Sequence, residues 1–321
     1  MFSHKGPAMY HPYLRGKQNE LILLRENAKL LAESSIIPII EPVKNNHSPL
    51  NKAIESLKKE NTPFILIINP KHGDYKNNPL PIFENTINTI LSDYTNFCIA
   101  YIVDADSSLL DVKDFLDDHL DKSIAFIHNG FTKPKDFAKL LTSYTNIKKH
   151  IFMDNQKLYQ RKFKQENIER VLIRDGFNKQ NSNKDYPNNE SFSELHLTFK
   201  DEGMDGFGDF LIAGDTYSES GGPAYAVTIH LTYLNEDELI YIRHFISDTV
   251  NTPKDPAGKF LEALSKLINA VEEENSLILK SKAYNQYKQF YDDKHFPGLG
   301  YVKKISMQHH LELISEFLSE Q

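Results

Sequence analysis

Tryptophan is absent from this chain of 321 residues, and cysteine occurs once, at Cys98. A single thiol forms no intrachain disulfide and builds no cysteine-rich zinc or iron–sulfur centre, so the disulfide-stapled secreted classes are excluded and the expected compartment is the cytoplasm. Long apolar runs are missing as well. The strongest, residues 35–43 (SIIPIIEPV), is interrupted by Glu41 and falls well short of the roughly 20 residues a membrane span needs. Residues 1–15 carry no apolar core of a secretory signal, so no leader is expected. There is no excess of positive charge: 44 acidic against 37 basic residues give a net charge of −7, which makes non-specific nucleic-acid binding an unlikely activity. Also lacking are Gly-x-Gly-x-x-Gly, Gly-x4-Gly-Lys-[Ser/Thr] and Gly-x-Ser-x-Gly, the marks of dinucleotide folds, P-loops and serine nucleophile elbows.

What is present is a βα alternation. Hydrophobic residues make up 40% and charged residues 25%, an ordinary globular balance with enough apolar side chain for a core. Near-continuous apolar runs at 35–43, 63–69, 97–104, 123–128, 148–154 and 168–174 read as buried strands. Amphipathic stretches at 50–60, 81–94, 109–120, 134–144 and 156–165 read as the crossover helices between them. After an Asn-rich stretch, 179–193, two further strands are expected at 207–215 and 224–233. Eight parallel strands predict an α/β fold, a (β/α)8 TIM-like barrel, with an open doubly wound sheet as the competitor. Residues 10–25 read as a loop entering an N-terminal capping helix, and 238–247 as either an antiparallel return or a helix. Residues 276–321 read as a C-terminal helical tail packed on a barrel domain of 1–275.

The strand ends carry the candidate chemistry, because barrel active sites lie at the C-terminal rim. Glu41, Asp104, His128, Asp154 and Arg174 are candidate catalytic residues. Glu41 leads, since it ends an otherwise apolar strand where burial favours acid–base work. Lys44, Asn69, Lys71, Gly221, Gly222 and His230 are candidate ligand contacts, the two glycines as a loop offering backbone N–H groups to a phosphate. Asp104, Asp106, Asp154, Asp215 and His230 supply the oxygen and imidazole donors of a divalent metal site, the cofactor being otherwise open. The plainer reading is that Asp and Asn at strand ends cap the next helix, and that Glu41 pairs internally with Lys44, Lys71 or Arg174. Basic residues gather between Lys148 and Lys184, either as a local nucleic-acid contact or as a solvated helix face.

One stretch is more specific. Tyr13-Leu14-Arg15-Gly16-Lys17-Gln18, Glu20-Leu21 and Leu24-Arg25, followed by Ile37-Pro38-Ile39-Ile40-Glu41-Pro42-Val43-Lys44, resembles the opening of the bacterial and phage group labelled the beta-protein family. The likeness continues through residues 206–215, 220–225, His230-Leu231 and 243–247, most of the chain. It implies a place in phage defence by association with a nuclease-like protein partner, and no defined activity. Tyr13, Arg15 and Arg25 are expected near the face opposite the rim, as structural ion pairs or a docking surface. Two functions remain open: a barrel hydrolase of phosphodiesterase or nucleotide-processing type, or a non-catalytic sensor that binds a ligand and holds the nuclease-like partner.

Overall fold

The computed structural model describes residues 9–76, 80–153, 156–219 and 221–320. The described residues form strands β1 (Met9–Tyr10), β2 (Tyr13–Leu14), β3 (Ile39–Ile40), β4 (Phe64–Ile67), β5 (Phe97–Asp104), β6 (Ile124–Asn129), β7 (Ile147–Met153), β8 (Glu169–Ile173), β9 (Asn189–Ser193), β10 (Gly206–Gly208), β11 (Thr228–Leu234) and β12 (Ile240–Ile246). The helices are α1 (Gln18–Glu33), α2 (His47–Lys59), α3 (Leu80–Ile82), α4 (Leu109–Asp118), α5 (Pro134–Leu141), α6 (Lys157–Gln160), α7 (Leu195–Thr198), α8 (Pro256–Glu272), α9 (Lys282–Asp293) and α10 (Leu299–Ser319). Among the described residues no helix is long and apolar enough to cross a membrane. The chain divides into two compact units: the part up to Arg174 with Thr198–Asp209, and Asp175–Leu197 with Phe210–Gln321.

The first unit is a barrel-like α/β fold around nine parallel strands in the order β1-β10-β8-β7-β6-β5-β4-β3-β2. Its central strands were legible because both faces are buried, one by the sheet's own interior and one by helices, so apolar residues run without alternation. Ile39, Ile65, Ile67, Ala100, Ile127, Ile151 and Val171 are completely buried and fill the inner side in register. The two ends of the strand order are neighbours in sequence. Met9 to Leu14 is one extended stretch bonded on both sides: His11 and Tyr13 donate N–H to the carbonyls of Phe207 and Asp209, while the carbonyls of Tyr10, Pro12 and Leu14 accept from Ile37, Ile39 and Glu41.

This corrects the expectation for the N-terminus. Residues 10–14 are strands of the sheet, and α1, packed beside α2, is the crossover helix that follows them, not a cap on the far end. The sequence hid these strands because Tyr-His-Pro-Tyr-Leu has no apolar run, and because Pro12, lacking an N–H, breaks the ladder into two-residue pieces.

The second unit corrects the other end. Residues 224–233 do not add an eighth parallel strand. β11 pairs antiparallel with β12, which pairs antiparallel with β9, in a separate three-stranded sheet. Residues 207–215 keep only β10 in the parallel sheet, the rest turning through a short helical segment at Leu211–Ala213. Ile229, Leu231 and Phe245 pack on one side against Phe260, Leu264 and Leu267 of α8, Tyr284 and Tyr287 of α9, and Ile305 of α10. The helical tail therefore covers this sheet. α10 is pinned to β11 by His309 Nε2, 2.8 Å from the Thr232 carbonyl, and by His310 Nδ1, 2.9 Å from the Thr232 hydroxyl.

Close approach at β10 explains Gly208. A Cβ there would sit 2.0 Å from the His11 carbonyl oxygen and 2.5 Å from Ile173 Cδ1, and the first of these is backbone. Gly208→Ala is expected to destabilise the protein by about 2 kcal/mol or more through overpacking, read as a lowered urea midpoint at unchanged slope. Gly221→Ala, where a Cβ meets nothing within 4 Å, is the control and should unfold with the wild type. An unchanged midpoint for Gly208→Ala would show that the Met9–Leu14 strand is not held tightly on this side.

Candidate functional site

The parallel strands of the first unit bring Glu41, Asn69, Asp104, His128 and Arg174 to their C-terminal ends, as the rim argument expects. Asp154 lies outside the described residues. Asp215, Gly221, Gly222 and His230 belong to the second unit and do not share that sheet. What each side chain touches separates them further.

Glu41 is completely buried, and its carboxylate is saturated. Oε1 accepts from the Lys71 backbone N–H at 2.8 Å and the His72 backbone N–H at 3.2 Å, and lies 3.0 Å from His72 Nδ1. Oε2 accepts from the Tyr13 hydroxyl at 2.9 Å and faces Arg15 Nε at 3.7 Å. Burial pushes this carboxyl up, but the hydrogen bond and charge of His72, the Lys71 N–H and the Tyr13 hydroxyl outweigh it and hold the group below its usual value. A carboxylate so enclosed is a poor proton carrier. The internal ion pair foreseen for Glu41 exists, but with Arg15; His72 joins through its ring and backbone N–H and Lys71 only through its backbone.

The Lys71 ammonium instead reaches Asp104, 2.7 Å from Oδ2. Asp104 Oδ1 accepts from the Ser107 hydroxyl at 2.8 Å and the Asp106 N–H at 3.2 Å, a turn that starts the connection to α4. Partial burial raises this carboxyl and the bonds from Lys71 and Ser107 outweigh it, so it too sits below its usual range. Asn69 is structural: its amide accepts from Ile102 N–H at 2.8 Å and donates to Ile102 C=O at 2.9 Å, extending the β4–β5 ladder by one rung. Arg174 pairs with Glu202 at 2.8 Å, with Lys157 3.6 Å from the same carboxylate. Lys44 and Asp106 are exposed. In the basic stretch Lys149 pairs with Glu169 and the Arg170 guanidinium donates to the Gln160 carbonyl at 3.1 Å, while Lys148, Lys157, Arg161, Lys162, Lys164, Lys179 and Lys184 are exposed.

His128 departs from the rim in a different way. Its side chain shares the outer face of the sheet with Phe126, His150 and Phe152, against Phe137 of α5, Tyr159 of α6 and Phe163. Nδ1 is 2.7 Å from the Tyr159 hydroxyl and Nε2 is 3.0 Å from His150 Nδ1. Burial, reinforced by the neighbouring His150, pushes its pKa well down, so the ring is neutral. Beside this pair, a cavity of about 250 Å³ opens at the ends of β6 and β7.

In the second unit the Asp215 N–H is held by Asp175 Oδ2 at 2.7 Å. His230 packs edge-on to Phe177 and Tyr186, with Nδ1 2.6 Å from His244 Nδ1, while His244 Nε2 lies 3.0 Å from Glu190. Gly221 and Gly222 are exposed.

The metal expectation gains no support from these positions. Among the described residues no group of three or more His, Cys, Asp or Glu side chains converges to hold a metal ion. Asp104 is spent on Lys71 and Ser107, Asp106 points to solvent, and His230 is turned to His244. Missed altogether were Tyr13 and Arg15, read onto the opposite face, and His72, Tyr159 and His150. The signal for the first two lay in the motif at residues 13–18. Gly16, at φ +54° with a Cβ position 2.9 Å from the Glu41 carbonyl oxygen, turns the chain so that Tyr-Leu-Arg-Gly and Ile-Ile-Glu-Pro meet.

The sequence matches no family model and no curated protein. The chemistry rests on these residues. Glu41→Gln should cost about 3 kcal/mol of stability, because a buried cation loses its counter-charge. Since the native carboxyl lies below its usual value of 4.5, its contribution is complete above that pH and is lost as pH falls through the native value. Unfolding curves of wild type and variant should then differ at neutral pH and converge on acidification. Parallel curves across that window would show that the carboxylate is not held by these donors.

Proposed function

We propose that this protein is a (β/α)8 binding barrel of the beta-protein type, acting as a ligand sensor or adaptor beside a nuclease-like partner. Support for the closed barrel comes from the Met9–Leu14 stretch, which bonds to β10 on one side and to the β3 segment on the other. Counted as one strand, with β3 to β8 and β10, it makes eight. Glycine at 206 and 208 gives this strand its close contact with Met9 and His11. The beta-protein assignment rests on the paired motif, whose two halves join through Tyr13, Arg15 and Glu41.

The observation that carries the binding reading is the state of the strand-end carboxylates. A hydrolase of phosphodiesterase type needs either an accessible base or convergent ligands for an activating metal. Glu41 and Asp104 are closed by Tyr13, Arg15, Lys71, His72 and Ser107, an arrangement suited to a rigid, preorganised mouth and not to proton transfer. Partnership with a nuclease-like protein follows from the resemblance alone.

Thermal scans with Mg²⁺, Mn²⁺, Zn²⁺ and chelator are expected to coincide, where a metal bound only by the native state at a hundredfold excess over Kd would add about 2.7 kcal/mol. Bis(p-nitrophenyl) phosphate should not turn over above background under any of these conditions. A metal-dependent rise in unfolding temperature together with turnover would overturn the binding reading in favour of the hydrolase.

A further inference from the structure

The outer face of α4, α5 and α6 in the first unit has no part in the Glu41 network, and its charge is sorted by sign. Residues 104–121 hold seven acidic side chains against Lys113, whereas residues 133–164 hold nine Lys and Arg against Asp136 and Asp154. The fold sets the two runs side by side. The Tyr144 hydroxyl, just past α5, donates to Asp117 Oδ1 of α4 at 2.7 Å, and Phe137 of α5 packs edge-on to Phe163, with ring centroids 5.4 Å apart.

On α4, Val112, Phe115 and Leu116 are buried, while Asp111, Asp114 and Asp118 are exposed at i, i+3 and i+7, one stripe of the helix. On α5, Phe137 and Leu141 are buried, while Lys135 and Lys139 are exposed at i and i+4. Lys133, Arg161, Lys162 and Lys164 are exposed too. Among the described residues none of these three aspartates pairs with a cation and none of these six basic residues with a carboxylate, although Lys113 and Asp117 pair across one turn of the same α4. Like charges gathered on one face repel, and a complementary surface removes that cost. Both halves of such a contact are present on one chain, and within the chain no ion pair joins them.

Two leucines mark the same elements. Leu158 at 75% and Leu110 at 66% are the most exposed large apolar side chains among the described residues. Each is the second residue of its helix, α6 after β7 and α4 after β5, so both stand toward the C-terminal ends of the parallel strands. A protein interface joins apolar contact to its charges, whereas a phosphate backbone would engage the lysines and leave the leucines in water.

We propose that this face is a self-association surface: the acidic α4 of one copy docks on the basic face of α5 and residues 157–164 of a second copy, and a two-fold axis makes the reverse contact. The axis runs along the strands. In that setting opposite charges meet with the helix starts at the same end, which brings Leu110 of one copy toward Leu158 of the other. An axis across the strands would set α4 against α4, acid on acid. With the axis along the strands, the C-terminal rims of the two first units point the same way, a paired platform for a bivalent partner.

Sedimentation of the full chain is expected to show a dimer that weakens about tenfold or more between roughly 50 and 500 mM NaCl, because exposed charges are screened. Lys135→Glu with Lys139→Glu, and separately Asp114→Lys with Asp118→Lys, should each be monomeric where the wild type is dimeric. Both should unfold within a few degrees of the wild type, since the four positions are exposed. Mixed one to one, the two double variants should form a heterodimer: one then carries acid on both surfaces and the other base on both, so each contact regains opposite charges. That rescue separates a lost contact from a lost fold. Leu158→Ser should weaken the wild-type dimer about tenfold. A wild type that stays monomeric up to about 0.1 mM, an open polymer in place of a dimer, or variants that remain monomeric when mixed would overturn the proposal. So would a short DNA duplex bound by the monomer and lost in Lys135→Glu with Lys139→Glu, which would assign the basic face to phosphate.

Discussion

A buried carboxylate with no route to water must find its charge compensated by the protein, and the compensation of Glu41 ties three segments together, its own and two that supply the donors. Tyr13 and Arg15 come from the end of the first strand, the Lys71 and His72 N–H groups and the His72 ring from the turn after β4, and Glu41 itself from the end of β3. Each segment is thereby located at its C-terminal end, where main-chain pairing has stopped. Lys71 then carries the order one strand further by bridging to Asp104 at the end of β5. The rim from the first strand to β5 is held together by side chains whose donors and acceptors are mutually consumed.

The two faces of the same sheet use polarity differently. Toward the inside, the middle rows are aliphatic and charge is confined to the ends: Lys149 with Glu169 at one, Glu41 and Asp104 at the other. Toward the helices, β6 and β7 carry an aromatic layer of Phe126, Phe137, Phe152 and Phe163 with two histidines embedded in it. Neutral imidazoles are tolerated there because each nitrogen has a partner. The second unit follows the same rule. The buried Lys259 ammonium donates to the carbonyls of Ala224, Tyr225 and Thr252, and the histidines of α10 bond to Thr232 of β11.

The strands that could be read from sequence are those whose burial does not depend on distant choices. Residues 97–104 and 123–128 are apolar on both faces, so a local run is enough. The first strand could not be read, because its stability comes from backbone bonds to residues about 27 and 196 positions away, and backbone bonding leaves no side-chain pattern. Residues 228–233 did carry a signal: Thr-Ile-His-Leu-Thr-Tyr alternates, which is the mark of an antiparallel strand with one apolar face and not of a parallel barrel strand. The return strand at 240–246, left open between strand and helix, was settled by pairing with that same segment.

By itself the sequence determined that the chain is α/β, that its parallel strands end in polar residues, and that Glu41 sits in an apolar setting. Those features depend on side-chain patterning over a few residues, where burial alone decides. Only the tertiary structure decided which strand ends meet, and so turned Glu41 from a free acid into the counter-ion of Arg15 and the hydrogen-bond partner of His72. It also placed His128 behind Tyr159, on the helix side of the sheet. The reason is geometric: alternation along a strand sends neighbours to opposite faces, while the partner each one finds there is supplied by a segment brought in by the fold.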